Sequence, residues 1–169
     1  MSTMLVRAAL LAGCVLGGWH GAAAQSCSVP QTLVVNSVIS IDTCRSAYMP
    51  AILCGGIVSG PAAVFAVNIG YPGLLAFEVT PGVGSQFDPA IAVTGPQCET
   101  GDCPHLVDSG GQGQAEQVNL DMDSGSYRLI VTSFNPVAGT CGTALIHLYE
   151  RTLGSGGNSD GIFRQGFNY

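Results

Sequence analysis

The sequence predicts an all-β protein, a two-sheet antiparallel β-sandwich or jelly roll of seven to eight short strands, preceded by a signal peptide. Short stretches in which every second residue is apolar recur along the chain, bounded by Gly, Pro, Asn and Asp, and this period of two is typical of half-buried strands. The composition agrees, because 24 glycines, 9 prolines and only 9% charged residues favour a turn-rich β fold. No long apolar stripe with a helical period is present.

Each predicted strand combines this alternation with a turn on either side. In the stretch Glu116–Met122 every second residue is apolar and its neighbours are Gln, Asn and Asp. Turns are predicted at Tyr71-Pro72-Gly73 and at Asp123-Ser124-Gly125, which flank two of the strands. The predicted strands cover residues 32–38 continuing to 42, 62–69, 73–80, 90–94, 116–122, 125–133 and 143–150.

The first 24 residues predict a secretory signal peptide. Arg7 precedes an apolar run over residues 8–19, and small residues at 21–24 supply a cleavage site between Ala24 and Gln25. The run is too short to span a bilayer. An alternative start is a lipobox at residues 11–14, which would leave a lipoprotein anchored at Cys14. We therefore expect a protein that is secreted, periplasmic or attached to the cell surface.

The chain divides into a signal peptide (1–24), one β-sandwich domain (25–153) and a tail (154–169). The tail is a Gly/Ser-rich linker followed by an aromatic end that carries Phe163, Phe167 and Tyr169. Such a tail is either a disordered terminus or a segment that adds to the sheet edge of a partner. Self-association of the chain is a further expectation.

The charge of the chain excludes some partners. The sequence has no lysine, and removal of the leader leaves four of the five arginines with all eleven acids. A surface of this sign repels the phosphates of nucleic acids and anionic lipid headgroups. We expect neither a nucleic acid partner nor a membrane span.

Six of the seven cysteines follow the predicted cleavage site, an even number that suits disulfides in an oxidising compartment. Six cysteines allow 15 connectivities, so sequence alone leaves the pairing open. The pairs favoured here are Cys98 with Cys103, Cys44 with Cys54, and Cys27 with Cys141. The last pair would close a loop of more than a hundred residues, worth about 4–5 kcal/mol in the chain-entropy model. The competing interpretation is a zinc site formed by Cys98, Cys103 and His105.

Acidic residues in the predicted loops are candidate calcium ligands, although their spacing matches no EF-hand loop. The candidates are Asp88, Asp102 and Asp108, and the structural alternative for Asp88 is a turn cap before Pro89. No Gly-x-Ser-x-Gly or His-Glu-x-x-His motif is present, and His147 shares a predicted strand face with Leu145 and Tyr149. We expect no catalytic residues and no obligatory cofactor.

The order of several segments resembles the bacterial pre-peptidase C-terminal domain, a secreted β-sandwich usually appended to exported hydrolases. The resemblance rests on Leu74–Val79, Phe87–Val93, Leu106–Gly111, Glu116–Leu120 and Asp123–Val131, and it spans about residues 40–149. In that family the domain accompanies a catalytic domain, and we expect none in this chain, so the resemblance implies a fold and an accessory role without an activity.

Three functions follow as hypotheses. The first is a non-catalytic exported protein that binds a polysaccharide, a protein surface or another exported subunit. The second is a structural or assembly subunit that uses its C-terminal tail. The third is a small extracellular hydrolase whose site carries no recognisable motif.

Overall fold

A computed structural model describes residues 26–50, 52–58, 60–98, 105–134 and 141–151. The predicted signal peptide, Cys14, Asp102, Cys103 and the aromatic tail lie outside these residues. Within them the chain forms strands β1 (Gln31–Leu33), β2 (Ser37–Asp42), β3 (Ile52–Leu53), β4 (Gly56–Ile57), β5 (Ala63–Ile69), β6 (Gly73–Pro81), β7 (Pro89–Thr94), β8 (His105–Val107), β9 (Glu116–Met122), β10 (Gly125–Ser133) and β11 (Thr143–Glu150). One turn of 3-10 helix spans Thr43–Arg45.

The strands assemble into two main sheets that form a sandwich. One sheet has five strands in the order β1-β5-β10-β7-β8, and the other has four in the order β2-β11-β6-β9. Neighbouring strands are antiparallel except for the parallel pair β1 and β5. The predicted all-β sandwich is therefore confirmed.

The core lies between the two sheets, where the alternating apolar residues of both meet. Phe65 and Leu129 of the five-stranded sheet and Phe77 and Ile146 of the four-stranded sheet are fully buried there. Complete burial of a side chain of this size stabilises the fold by about 1.5–3 kcal/mol. The residues between them in sequence face outward, which fixes the register of each strand.

The predicted strand over residues 32–42 is divided in two. Asn36, at a φ of 62°, separates β1 from β2. Leu33 lies beside β5 in the five-stranded sheet, whereas Ile39 lies beside β11 in the four-stranded sheet. The left-handed turn at Asn36 thus carries the chain from one layer to the other, which the continuous apolar run does not reveal.

A second apolar cluster covers part of the outer face of the five-stranded sheet. Val64, Ala92 and Ile130 point away from the main core and are buried by Leu53 and Val58 of the segment that leads from β2 to β5. That segment contains the hairpin β3–β4, which the sequence analysis missed, as it also missed β8. The two turn residues of the hairpin, Cys54 and Gly55, have φ angles of 54° and 75°, as a type I′ turn requires.

Two disulfides differ from the predicted pairs. Cys44 bonds to Cys141 and Cys27 bonds to Cys98, with Cα atoms 5.0 and 5.9 Å apart. Each predicted pair contains at least one of these four cysteines with a different partner, so all three predicted pairings are wrong. Cys54 is disulfide-bonded as well. The bond between Cys44 and Cys141 follows from the register of β2 with β11. Asp42 of β2 lies opposite Thr143 of β11, and the same register extended by two residues places Cys44 opposite Cys141.

Candidate functional site

The outer face of the four-stranded sheet carries a group of polar and aromatic side chains. Strict alternation in β9 and β11 buries one set of residues and leaves the other set on the surface. Cross-strand register then aligns the outward residues of β11, β6 and β9 in neighbouring rows. We refer to this group as the polar face, and its members are Glu78, Gln117, Asn119, His147 and Tyr149.

Tyr149 lies across the middle of the polar face. It is opposite Ala76 of β6, whose partner on the other side is Asn119 of β9. The hydroxyl of Tyr149 accepts a hydrogen bond of 2.9 Å from the Nε2 amide of Gln117, which is on β9. Neighbouring strands are about 4.8 Å apart, so the bond spans two strand spacings. The phenol ring must therefore extend over β6, and Ala76 beneath it is 0% exposed.

This arrangement makes the half-buried ring of Tyr149 an aromatic platform on the polar face. A small residue on β6 lets the ring lie along the sheet, and the hydrogen bond to Gln117 holds it there. One face of the ring packs against the imidazole of His147, and the hydroxyl end is held over β6 by Gln117. Tyrosine is suited to such a position because it combines an apolar ring with a polar end.

His147 extends the platform along β11. The rings of His147 and Tyr149 have centroids 4.4 Å apart and are tilted by 37°. His147 lies opposite Glu78, whose Oε1 atom accepts a hydrogen bond of 3.3 Å from the hydroxyl of Thr80. The imidazole thus packs on part of one face of the Tyr149 ring, and the Glu78 carboxylate lies across from that imidazole on β6.

Amides border the platform on the side of β9. Gln117 donates to the Oδ1 atom of Asn119 at 3.4 Å as well as to Tyr149, so both amides have defined orientations. Fixed donors and acceptors around an apolar surface suit a ligand with one apolar face and a rim of hydroxyl groups. The sequence analysis placed His147 and Tyr149 on one strand face but did not identify this group. The sequence signal that could have revealed the group is the alternation of polar residues in β9, which matches the alternation in β11.

An acidic cluster lies at one end of the sandwich. It contains Asp88 before β7, Asp108 after β8, and Glu116 at the start of β9. Glu116 is 1% exposed, and its carboxylate accepts hydrogen bonds from the backbone N–H groups of Ser109 and Gly110. Glu116 therefore holds the loop between β8 and β9 in place.

The two aspartates of the cluster have perturbed titration. Burial raises the pKa of Asp88, and the charge of Glu116 adds to the shift. Burial also raises the pKa of Asp108, with further contributions from the charges of Asp88 and Glu116. One carboxylate oxygen of each aspartate is buried and has no hydrogen-bond partner among the described residues. Both effects disfavour the charged forms of these groups.

The predicted metal ligands do not form a complete site in the described part of the chain. Asp88 and Asp108 are brought into the same cluster, whereas Asp102 lies outside the described residues. Among those residues, no three His, Cys, Asp or Glu side chains are arranged to hold a metal ion. Calcium binding therefore stays a prediction. The zinc alternative is wrong for Cys98, because that sulfur is bonded to Cys27.

His105, the other member of the zinc hypothesis, is half-buried in β8. Burial lowers its pKa, so the neutral imidazole is favoured. Its backbone carbonyl oxygen lies 3.8 Å from the Sγ atom of Cys54, which is disulfide-bonded and so has no proton to donate. These contacts give His105 a structural role next to the hairpin β3–β4.

In the described segments, no helix has the length and apolar character needed to cross a membrane. No family model matches the sequence, and no curated protein matches it.

The fold is similar to several solved structures at low sequence identity. One is the pre-peptidase C-terminal domain of a collagenase from Bacillus anthracis, with a TM-score of 0.49 and 13% identity over 70% of this chain and 93% of that domain. A second is CorA, a surface-associated copper-binding protein of Methylomicrobium album BG8, with a TM-score of 0.48 and 12% identity over 72% of this chain and 98% of that one. A third is PliG of Aeromonas hydrophila, a periplasmic inhibitor of g-type lysozyme, with a TM-score of 0.38 and 14% identity over 70% and 96% of the two chains. These likenesses concern the arrangement of strands alone.

Proposed function

We propose that this protein is an exported, non-catalytic binding protein that takes a polysaccharide on its polar face. The observation that carries the proposal is the ring of Tyr149, held over Ala76 by the hydrogen bond from Gln117. A pyranose ring has an apolar face of C–H groups and a rim of hydroxyl groups. The apolar face would stack on Tyr149, and the hydroxyl groups would bond to Asn119 and Glu78.

The chemistry of the polar face favours binding over catalysis. Within the described residues, neither the His105 nor the His147 side chain is hydrogen-bonded to a serine hydroxyl, as a nucleophile–base pair would require. Thr80 donates to Glu78 rather than to a histidine. The residues of the polar face are also spread over an open sheet surface, which gives no means of excluding water from a reacting bond.

Binding to an array of immobilised neutral and acidic polysaccharides tests this function. We expect retention of at least one polysaccharide and a loss of about tenfold or more in affinity for Tyr149→Ala. The matched control is Tyr71→Ala, which removes a tyrosine that is 88% exposed in the turn between β5 and β6. Unchanged binding by Tyr149→Ala, or no binding by the wild type, would contradict the proposal.

Export through the predicted signal peptide is part of the same proposal. The two disulfides support it, since such bonds persist in oxidising compartments. The intact mass of the exported protein distinguishes the two forms of the N-terminus. A chain beginning at Gln25 supports cleavage after Ala24, whereas a chain beginning with a lipid-modified Cys14 supports the anchored form.

A further inference from the structure

β2 forms one outer edge of the four-stranded sheet. In the part of the chain that the structure describes, β2 pairs only with β11. The backbone N–H of Thr43 donates to the carbonyl of Gly142 at 2.9 Å, which continues the pairing of β2 with β11. Because ladder bonds alternate along a strand, Ile39 and Ile41 bond to β11, while the backbones of Val38 and Ser40 face away from it.

This edge has few of the features that normally prevent strands from pairing between molecules. From Val34 to Ile41 the sequence contains no charged residue and no proline. Val38 on β2 is 56% exposed, and Leu145, its diagonal neighbour on β11 opposite Ser40, is 50% exposed, so exposed apolar side chains lie on both strands near this edge. The opposite edge, β9, differs because it carries Glu116 and Asp121.

We propose that the β2 edge is a dimer interface, in which β2 pairs antiparallel with β2 of a second copy. A two-fold axis beside Ile39 would place Val38 of one copy opposite Ser40 of the other. The outward N–H and C=O groups of these two residues would then bond across the interface in a self-complementary way. The pairing would join two four-stranded sheets into one of eight strands.

The charge distribution favours a second copy as the occupant of this edge. The whole chain has a formal net charge of −6, so two copies repel each other over most of their surfaces. The stretch from Val34 to Ile41 contains no charged residue, so pairing there brings no like charges directly opposite each other. In the proposed register the Asp42 side chains of the two copies lie at opposite ends of the paired strands, and each remains beside its own Arg45, at 3.1 Å.

Sedimentation velocity of the exported protein over a range of concentrations tests the proposal. We expect a concentration-dependent species of twice the monomer mass, with a dissociation constant raised about tenfold or more by Val38→Glu, which places two carboxylates at the interface. Ser40→Pro should have the same effect, because it removes an outward backbone donor and leaves the ladder to β11 intact. Val83→Glu is the matched control, since Val83 is fully exposed in the loop after β6.

Amide hydrogen exchange tests the same interface in the wild type, so the test does not depend on whether a variant folds. In the wild type the amides of Val38 and Ser40 should exchange more slowly at high protein concentration than at low concentration. A wild type that stays monomeric throughout, or a dimer unaffected by both variants, would overturn the proposal. A dimer that forms only after removal of residues 154–169 would also overturn it, because the tail would then be the occupant of the edge.

Discussion

Tyr149 and Gln117 are joined by a hydrogen bond of 2.9 Å although strand β6 lies between the strands that carry them. The bond exists because Ala76, at the crossing point on β6, is small enough for the phenol ring to pass over it. A larger residue there would lift the ring away from the sheet. The position of the platform therefore depends on the small side chain of Ala76, which is fully buried.

Substitution of Ala76 tests this dependence. Ala76→Val should lower polysaccharide affinity about tenfold or more, because two added methyl groups displace the ring and break its bond to Gln117. Valine is favoured in strands, so we expect the free energy of unfolding to change by no more than about 1 kcal/mol. The control is Ala66→Val, on the outer face of the five-stranded sheet. Equal affinities for the two variants, measured by calorimetry, would show that the ring position does not matter.

The acidic cluster predicts how stability depends on pH. A carboxyl group whose pKa is raised in the folded state holds its proton more tightly there than in the unfolded chain. For Asp88 and Asp108 this contribution to stability is largest below about pH 4 and is lost as the pH rises through the folded pKa values. Urea unfolding of Asp88→Asn should therefore show higher stability at pH 7 and a smaller decrease between pH 4 and pH 7.

Asp123→Asn is the control for this effect, because Asp123 is exposed in the turn between β9 and β10. The same pH dependence in wild type and Asp88→Asn would mean that burial of the Asp88 carboxyl carries no energetic cost. The same samples, dialysed with and without calcium, would show whether the cation offsets that cost.

The disulfides make a separate prediction. Cys44→Ser combined with Cys141→Ser removes a bond that closes a separation of 97 residues, which corresponds to about 4–5 kcal/mol in the chain-entropy model. The double variant should therefore lose much of its stability in urea. Mass mapping of the non-reduced protein should give peptides that link Cys44 with Cys141 and Cys27 with Cys98. Peptides that link Cys27 with Cys141 would contradict the structure.

Gly142 is predicted to tolerate no side chain. A Cβ atom at this position would lie 2.6 Å from the Cβ of Phe87, which is fully buried. The backbone of Gly142 is also bonded to Thr43, so it cannot move away. We expect Gly142→Ala to lower the free energy of unfolding by about 1–3 kcal/mol. Gly111→Ala, where a Cβ meets no atom within 4 Å, should be close to neutral.

Much of the fold could be predicted from period-two alternation. The stretches around β5, β6, β9, β10 and β11 were located to within about a residue, since each has one face in the core. The hairpin β3–β4 could not be found this way, because Cys54 and Gly55 form its turn and each strand has two residues. A strand of that length has no measurable period. β8, with three half-buried residues, was missed for the same reason.

The candidate site and the disulfides could not be predicted because both depend on which strands are neighbours. Cys44 and Cys141 are far apart in sequence, and only the pairing of β2 with β11 brings them together. In the same way, Tyr149 meets Gln117 only through the order β11-β6-β9. Short loops were favoured for the cysteines because sequence gives separations and does not give sheet order.

Chemical-shift mapping by two-dimensional NMR is the measurement that tests the proposed function most directly. The exported protein would be titrated in turn with soluble neutral polysaccharides such as laminarin, xylan and galactomannan. If the polar face is the binding surface, at least one titration will shift the amide signals of Ala76 and Asn119 in the wild type, and the same titration will leave these signals unchanged in Tyr149→Ala. Shifts confined to the loops around Asp88, or no shifts with any of these polysaccharides, would contradict the proposed function.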